Sequence, residues 1–334
     1  MRGEVSPDPG VREFDLLVLG EVNADVILSG DVDPAFGQEE HLVDDGAVVL
    51  GGSGAITACG AARLGLRVAY AGLAGDDALG RFCLDELAAA GVDVSAVQRR
   101  AGLRTGVGVL LVREDGDRAI LTYPGAIPFF SASDVDPAVA GHARHLHVGA
   151  YFLQTGLHAS LASLFSAHRA SGGTTSLDPN WDPSGAWELG DLLSCIDYLL
   201  PNAAEADRLA PSDSPEMAAA LLAGFGPTVA VKLGACGALF HDGGAPTKVR
   251  APAVDAVSDA VGAGDNFDAG FLAAALAGDG PEAALALGCA CGALSMRGVG
   301  GTARQPDRRE AEALAATILH GRGSTQAATP TEAQ

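Results

Sequence analysis

The chain has 334 residues, 48% hydrophobic and 19% charged, enough for one large α/β domain or two smaller ones. Its formal net charge is −21, with only two lysines, Lys232 and Lys248. Such a surface repels a phosphate backbone and argues against nucleic acid as a partner. No apolar run approaches the roughly 20 residues of a membrane span, and the first residues, MRGEVSPDPGVRE, lack an apolar signal core, so the expectation is a cytoplasmic protein with no membrane partner.

In chain order, residues 1–13 are polar and rich in Pro and Gly and read as a flexible arm; residues 322–334 read as a flexible tail. Between them, over 14–321, strand-like and helix-like segments alternate. FDLLVLG (14–20) is a strand, GSGAITACGAARLG (52–65) a small-residue helix, RVAYAG (67–72) a strand and DDALGRFCLDELAAAG (76–91) an amphipathic helix. HLHVGA (145–150), TTSLDPN (174–180), DYLLPN (197–202) and TVAVKLG (228–234) are further strands, each followed by helical sequence. That rhythm predicts a parallel sheet with helices on both faces. Two regions break it, residues 24–50 and 105–124; in the second, TGVGVLLV and AILTYP flank the turn REDGDR, a β-hairpin signal. Together they predict a small separate sheet, a lid over the strand ends of the main one. The six cysteines lack CxxC or zinc spacing and read as small buried hydrophobes, and His145 and His147, alternating on one strand, read as structural.

No Walker loop and no GxGxxG follows a strand, so these common nucleotide motifs are absent. The candidate chemistry lies instead in DAVGAGDNFDAGF (259–271). Gly262, Ala263 and Gly264 lead into Asp265 at the start of an apolar helical stretch. Free backbone amides and the helix dipole make such a turn an anion site, and the dipole is expected to lower the pKa of Asp265. A carboxylate beside an anion hole is useful if the two meet at one atom. The amides stabilise charge on a phosphoryl group while Asp265 takes the proton of the attacking hydroxyl.

This stretch resembles the C-terminal signature of the ribokinase-like, or PfkB-type, carbohydrate kinases, and other pieces follow in that family's order across about 14–305. GEVNADVIL resembles the first-strand motif, implying that Asn23 and Asp25 hold sugar hydroxyls. GGSGAITACGAARLG resembles the glycine-pair motif, with Gly51 and Gly52; PNAAEADRL the NxxE element that organises Mg²⁺ and phosphates, with Asn202 and Glu205; VKLGACGALF the nucleotide-side strand and turn, with Lys232, Gly234 and Gly237. The resemblance implies a three-layer, doubly wound, mainly parallel α/β fold, ATP and Mg²⁺ as cofactors, and a monovalent cation (K⁺) site at Asp259 and the backbone near Val261, with the loop 296–302. The residues themselves agree. Asn23 and Asp25, two apart on an extended segment, share one side. Amide and carboxylate match vicinal hydroxyls, and paired glycines allow a backbone to approach a ligand.

The sequence also departs from that pattern. Ala260 stands where Thr, Ser or Pro is usual, and Ile56 where an Asn is common, which points to a substrate that presents less polarity there. SLDPNWDPSGAW (176–187) is similar to a DxNxR element but carries no Arg at the spacing, leaving Asn180 as the candidate substrate contact. The expected function is phosphotransfer from ATP to a hydroxymethyl group of a small sugar. The alternatives are a nucleoside kinase, with Ile56, Tyr123 or Phe129 as a wall for the base, and a non-catalytic sugar-binding protein. A lid sheet also offers an edge for a homodimer.

Overall fold

Strand β1 (Phe14–Leu19) shows why the main sheet is covered on both faces. Leu16 and Val18 enter one core while Leu17 and Leu19 enter the other, because successive side chains leave a strand on opposite sides. A strand apolar on both faces needs a layer above and a layer below. The computed structural model describes residues 12–254 and 257–320; the expected flexible segments, residues 12 and 13 apart, lie outside the described residues.

After β1 come β2 (Asn23–Ser29), β3 (Asp45–Gly51), β4 (Val68–Gly75), β5 (Asp93–Arg100), β6 (Gly106–Val112) and β7 (Arg118–Tyr123). Then follow β8 (Ala143–Val148), β9 (Thr174–Leu177), β10 (Tyr198–Leu199), β11 (Thr228–Lys232), β12 (Ala238–His241) and β13 (Thr247–Val249). The main sheet runs β13-β12-β11-β10-β9-β8-β1-β4-β5. Pairing is parallel from β11 to β5, and β12 and β13 close one end antiparallel.

The helices are α1 (Ser53–Arg63), α2 (Ala78–Ala89), α3 (Pro137–Gly141), α4 (Leu161–Ala170), α5 (Ala203–Leu209), α6 (Pro215–Ala223), α7 (Ala263–Ala277), α8 (Pro281–Ser295) and α9 (Arg308–His320). Residues of α1, α2, α7, α8 and α9 pack with Leu16 and Val18, and residues of α3 to α6 with Leu17 and Leu19. The expected three-layer architecture is therefore present. The chain turns from β1 to β4 on one side and later to β8 on the other, and ligands of open α/β sheets bind at such a switch point, beyond the C-terminal strand ends.

The residues between β1 and β4 build the start of a second sheet, ordered β3-β2-β6-β7. β2 pairs antiparallel with β3 and parallel with β6, and β6 pairs antiparallel with β7 through the expected hairpin. Ala24 of β2 and Leu50 of β3 join the core beneath it, while farther out Ile27 and Leu110 meet Val261. His145 and His147 are buried and bonded to Thr174 and Ser176. Four cysteines are buried as expected, but Cys195 is half-buried and Cys236 exposed, because their segments lie on 3₁₀ turns at the surface. Among the described residues no helix is long and apolar enough to cross a membrane.

Candidate active site

A cavity of about 420 Å³ lies between the C-terminal end of β1, the lid and the start of α7. The chain that leaves β1 supplies Glu21, Asn23 and Asp25; β6 supplies Gly108 and Leu110; alternate residues of β7 supply Arg118, Ile120 and Thr122. Asn23 Nδ2 donates to Asp25 Oδ1 at 2.8 Å, so the pair expected from the spacing is formed. Burial, only partly countered by that bond, raises the Asp25 pKa to about 6. The glycines serve this pair more than they serve a ligand. A Cβ on Gly51 or Gly108 would overlap the Asp25 carboxylate, and one on Gly52 (φ +94°) would lie 2.9 Å from Asn23 Oδ1. Gly52 lines the cavity and Gly51 is not among its lining residues, because the Asp25 side chain fills the space beside Gly51.

At the other wall, Gly262 takes the left-handed conformation (φ +74°) and caps α7 without a side-chain partner. Among the described residues, no acceptor meets the amides of Gly262, Gly264 and Asp265. These are the orphan donors of a helix start. Asp265 follows in the first turn, and its Oδ1 accepts the hydroxyl of Ser53, the first residue of α1. The expected lowering of its pKa is not found. Burial and the charge of Asp178 raise Asp265 to about 6, against the Ser53 bond, Lys232 and Arg118. The desolvation penalty thus outweighs the helix dipole. The Ser53 amide donates to Glu21 Oε1, so one serine ties two carboxyls together.

Beneath this loop lies a buried ionic cluster. Lys232 Nζ, at the end of β11, is 2.9 Å from Asp178 Oδ2 and 3.2 Å from both oxygens of Asp268. One oxygen from each of Asp178, Asp265 and Asp268 falls within 4.8 Å of the others, a spacing suited to a metal ion. The lysine already supplies the cation. Burial opposes its charge, and Asp178 and Asp268 outweigh burial, holding Lys232 protonated. Asp178 stays ionised despite burial because of Lys232, whereas burial and the neighbouring Asp178 push Asp268 far up.

Asn202 and Glu205 form a capping box at the start of α5. Asn202 Oδ1 accepts the Glu205 amide at 3.0 Å, and Glu205 accepts the Asn202 amide at 2.8 Å and its Nδ2 at 2.6 Å. Both residues also line the cavity, and burial and Asp178 raise Glu205 to about 7. Its oxygens are engaged by the cap, so the donor set fits a metal held through water rather than directly.

A second cavity of about 760 Å³ adjoins the first and is lined mainly by apolar or small residues, among them Gly237, Val254, Val257, Phe267, Ala293 and Met296. The two cavities share Lys232, Gly234, Ala260 and Gly264. Of the anion loop, Gly264 thus faces both, while Ala263 borders only the apolar side. Asp259 borders neither cavity. Its two oxygens accept the amides of Val261 and Gly300, both at 2.9 Å, which clasps the 259–262 loop to the 300 loop.

Ile56, Asn180 and Val261 line the first cavity as well. Tyr123 and Phe129 do not; they are 51% and 56% exposed, so of the three residues expected as a wall for a nucleoside base only Ile56 borders the cavity. The apolar wall consists instead of Ile56, Leu110, Ile120, Ile127, Leu153 and Val261. Glu21, Ser53, Asp268 and Arg118 were not singled out by any motif, and Asp178 entered only as the first position of the DxNxR-like element. Arg118 is the one for which a signal existed, since the alternation of Arg118, Ile120 and Thr122 sets one face of β7 toward the cavity.

A family model described as pfkB family carbohydrate kinase matches residues 13–308. The chain belongs to this family. It is therefore a carbohydrate kinase, built on the fold described above. It is 33% identical over 291 residues to the 2-dehydro-3-deoxygluconokinase of Bacillus subtilis, covering 81% of this chain and 87% of that protein. It is 34% identical over 273 residues to a fructokinase of Klebsiella pneumoniae, covering 77% and 88%. The structure of Arabidopsis thaliana ribokinase complexed with ribose and ATP superposes with a TM-score of 0.78 at 25% identity, covering 90% of this chain and 98% of that one.

Proposed function

We propose that this kinase transfers the γ-phosphoryl group of ATP to a hydroxymethyl group of a small sugar. The observation that carries this reading is the shared border of the two cavities. The polar one offers Asn23, Asp25 and Asn180 to hydroxyls, the apolar one offers a surface for an adenine, and of the free loop amides that of Gly264 lies at their junction and that of Gly262 on the polar side. Asp265 opens into the polar side there. With a pKa near 6 it is mostly ionised at neutral pH, yet basic enough to take a proton from a hydroxyl as that oxygen attacks. The substrate oxygen forms the new bond to phosphorus, the bond to the bridging oxygen of ADP breaks, and the proton stays on Asp265. The loop amides stabilise the charge on the transferring group, and Lys232, Gly234 and Gly237 border the donor's path.

Mg²⁺ travelling with ATP would neutralise phosphate charge, and Asn202 and Glu205 fit it through water. Asp259 accepts two amides and acts as a clasp between the 259–262 loop and the 300 loop. Pairing of two copies through the lid belongs to the same proposal, since β7 is an edge strand whose Leu121 is 62% exposed. The test is ATP consumption with D-ribose, D-fructose, 2-dehydro-3-deoxygluconate and adenosine. Sugar-dependent ADP release above that with adenosine is expected. Preference for adenosine would favour a nucleoside kinase, and no turnover with tight sugar binding would favour a binding protein.

A further inference from the structure

Among the described residues that line the sugar cavity, Glu21 carries the one carboxyl oxygen that is both buried and without a hydrogen-bond partner. The residue is 3% exposed, at the turn between β1 and β2, and lines the cavity. Oε1 accepts the Ser53 amide, while Oε2, equally buried, has no hydrogen-bond partner. The protein makes room for it. A Cβ on Gly52 would stand 3.2 Å from Glu21 Cγ, and the Tyr70 hydroxyl fixes the turn by donating to the Glu21 carbonyl at 2.7 Å. A buried polar atom left unpaired is costly, and in a residue that lines a cavity a ligand atom is the natural partner.

We propose that Glu21 is a specificity-determining residue of the acceptor site, which donates an Oε2 hydrogen to a sugar oxygen able to accept it. The inference rests on the phosphotransfer reading and deepens it: the substrate must present an oxygen, not a deoxy carbon, to this corner. The proton is available because burial first, and the charge of Asp265 second, raise Glu21 to about 8. The titratable groups around it behave differently. Asp265 on α7 and Asp25 on β2 titrate near 6, and Tyr70 on β4 stays neutral far above its ordinary range. Farther across the cavity, Asp178 is held ionised and Lys232 protonated, Glu205 titrates near 7, and the Arg118 side chain lines the β7 wall.

The test uses whichever of D-ribose, D-fructose and 2-dehydro-3-deoxygluconate the wild type turns over best. Sugar KM, ATP KM and kcat are measured for wild type, Glu21→Gln and Glu21→Leu between about pH 6.5 and 9. The glutamine keeps a donor at the same place, so at neutral pH its sugar KM stays within about threefold of wild type. The leucine raises sugar KM about ten- to a hundredfold with ATP KM unchanged. Above about pH 8 the wild-type sugar KM climbs about tenfold per unit, while that of Glu21→Gln stays flat. If the glutamine variant is as impaired as the leucine one at neutral pH, or keeps the wild-type alkaline rise, the assignment is wrong. The glutamine comparison decides this even if the leucine variant does not fold. A wild type inactive on all three sugars would remove the proposed small-sugar acceptor and this assignment together; an active wild type with an unmoved sugar KM in both variants would remove the assignment alone.

Discussion

Lys232 Nζ sits 2.9 Å from Asp178 Oδ2, and the pair lies almost wholly out of water, with side-chain exposures of 10% and 5%. Their second neighbour Asp268 is fully buried. One ammonium between two carboxyls balances only if one carboxyl keeps its proton, and the directions of the pKa shifts assign that proton to Asp268. The two aspartates should therefore respond differently. Asp268→Asn replaces a neutral acid by a neutral amide and should cost little stability. Lys232→Met strands the buried charge of Asp178 and should cost about 3–5 kcal/mol, whereas Asp178→Asn should cost an intermediate amount, because Asp268 must then give up its proton to balance Lys232. Urea denaturation of the three variants checks the order; equal losses for Asp268→Asn and Asp178→Asn would contradict it.

The second prediction concerns Asp265 and Ser53. Asp265→Asn removes the base and should lower kcat by about 10²–10⁴, with ATP affinity little changed. Ser53→Ala removes a bond that holds the Asp265 pKa down. Its sign follows: the variant's base needs a higher pH to ionise, so the acid limb of the kcat profile should move upward. A limb that stays in place or moves downward would show that Ser53 does not act on Asp265.

Asp25 should govern sugar binding rather than turnover. It is buried, bonded to Asn23 and given its space by Gly51 and Gly108. Asp25→Ala removes a charged hydrogen bond of about 1.5–3 kcal/mol, so sugar KM should rise roughly ten- to a hundredfold. A raised ATP KM with unchanged sugar KM would move the pair out of the acceptor site. Gly108→Ala tests the same geometry from the other side, since its methyl group displaces the carboxylate.

Much of this arrangement was legible in the sequence, and the physical reason is locality. Asn23 and Asp25 share a side because strands alternate, the lid hairpin announces itself by its turn, and the Gly262–Asp265 loop is contiguous. The Glu21–Ser53–Asp265 link was not legible, because its hydrogen bonds join residues 32 and 212 positions apart. Nor was the direction of the Asp265 pKa shift. The helix dipole is a local property visible in sequence, whereas the burial and the Asp178 charge that overrule it come from other elements. Gly51 was misread for a related reason. Its neighbour in space is a protein carboxylate from the adjoining strand, which a motif alone does not reveal.

Crowding of carboxyls gives the ligand-free protein a characteristic pH dependence. Burial is the first cause in each case: Glu21 is raised to about 8, Glu205 to about 7, and Asp25 and Asp265 to about 6. All four hold protons more tightly folded than unfolded. Their contribution is thus complete below the ordinary carboxyl range and is lost as pH rises through about 6 to 8. Asp15, held at about 2 chiefly by its hydrogen bond with Arg67, acts oppositely in strong acid, and the buried His145, His147 and His168, whose pKa values burial lowers, act oppositely below the ordinary imidazole range. Above the imidazole range only the carboxyls act, so the Tm of the ligand-free protein should be higher at about pH 6.5 than at about pH 8.5. Calorimetric scans at both values check this, and a Tm that rises with pH would contradict it.

Ile56 gives the sharpest test of substrate shape. It is 3% exposed, lines the sugar cavity, and packs against Gly262 and Gly301, whose lack of side chains leaves room for it. Its position has two consequences. An apolar side chain facing the acceptor cannot match a hydroxyl, and an unmatched buried hydroxyl costs about 1–3 kcal/mol. The preferred substrate should then present carbon toward Ile56, whereas ribose offers a hydroxyl there if it binds as the motif position implies. Ile56→Asn should raise kcat/KM for ribose relative to the preferred substrate, about tenfold or more in the ratio. The same change loosens the packing under the anion loop, so kcat should fall for both substrates by a common factor, which cancels in the ratio. Measuring kcat/KM for both substrates in both proteins separates the effects. A common fall with an unmoved ratio would assign Ile56 to loop packing alone, and a ratio shifted toward ribose would assign it to the recognition of the acceptor.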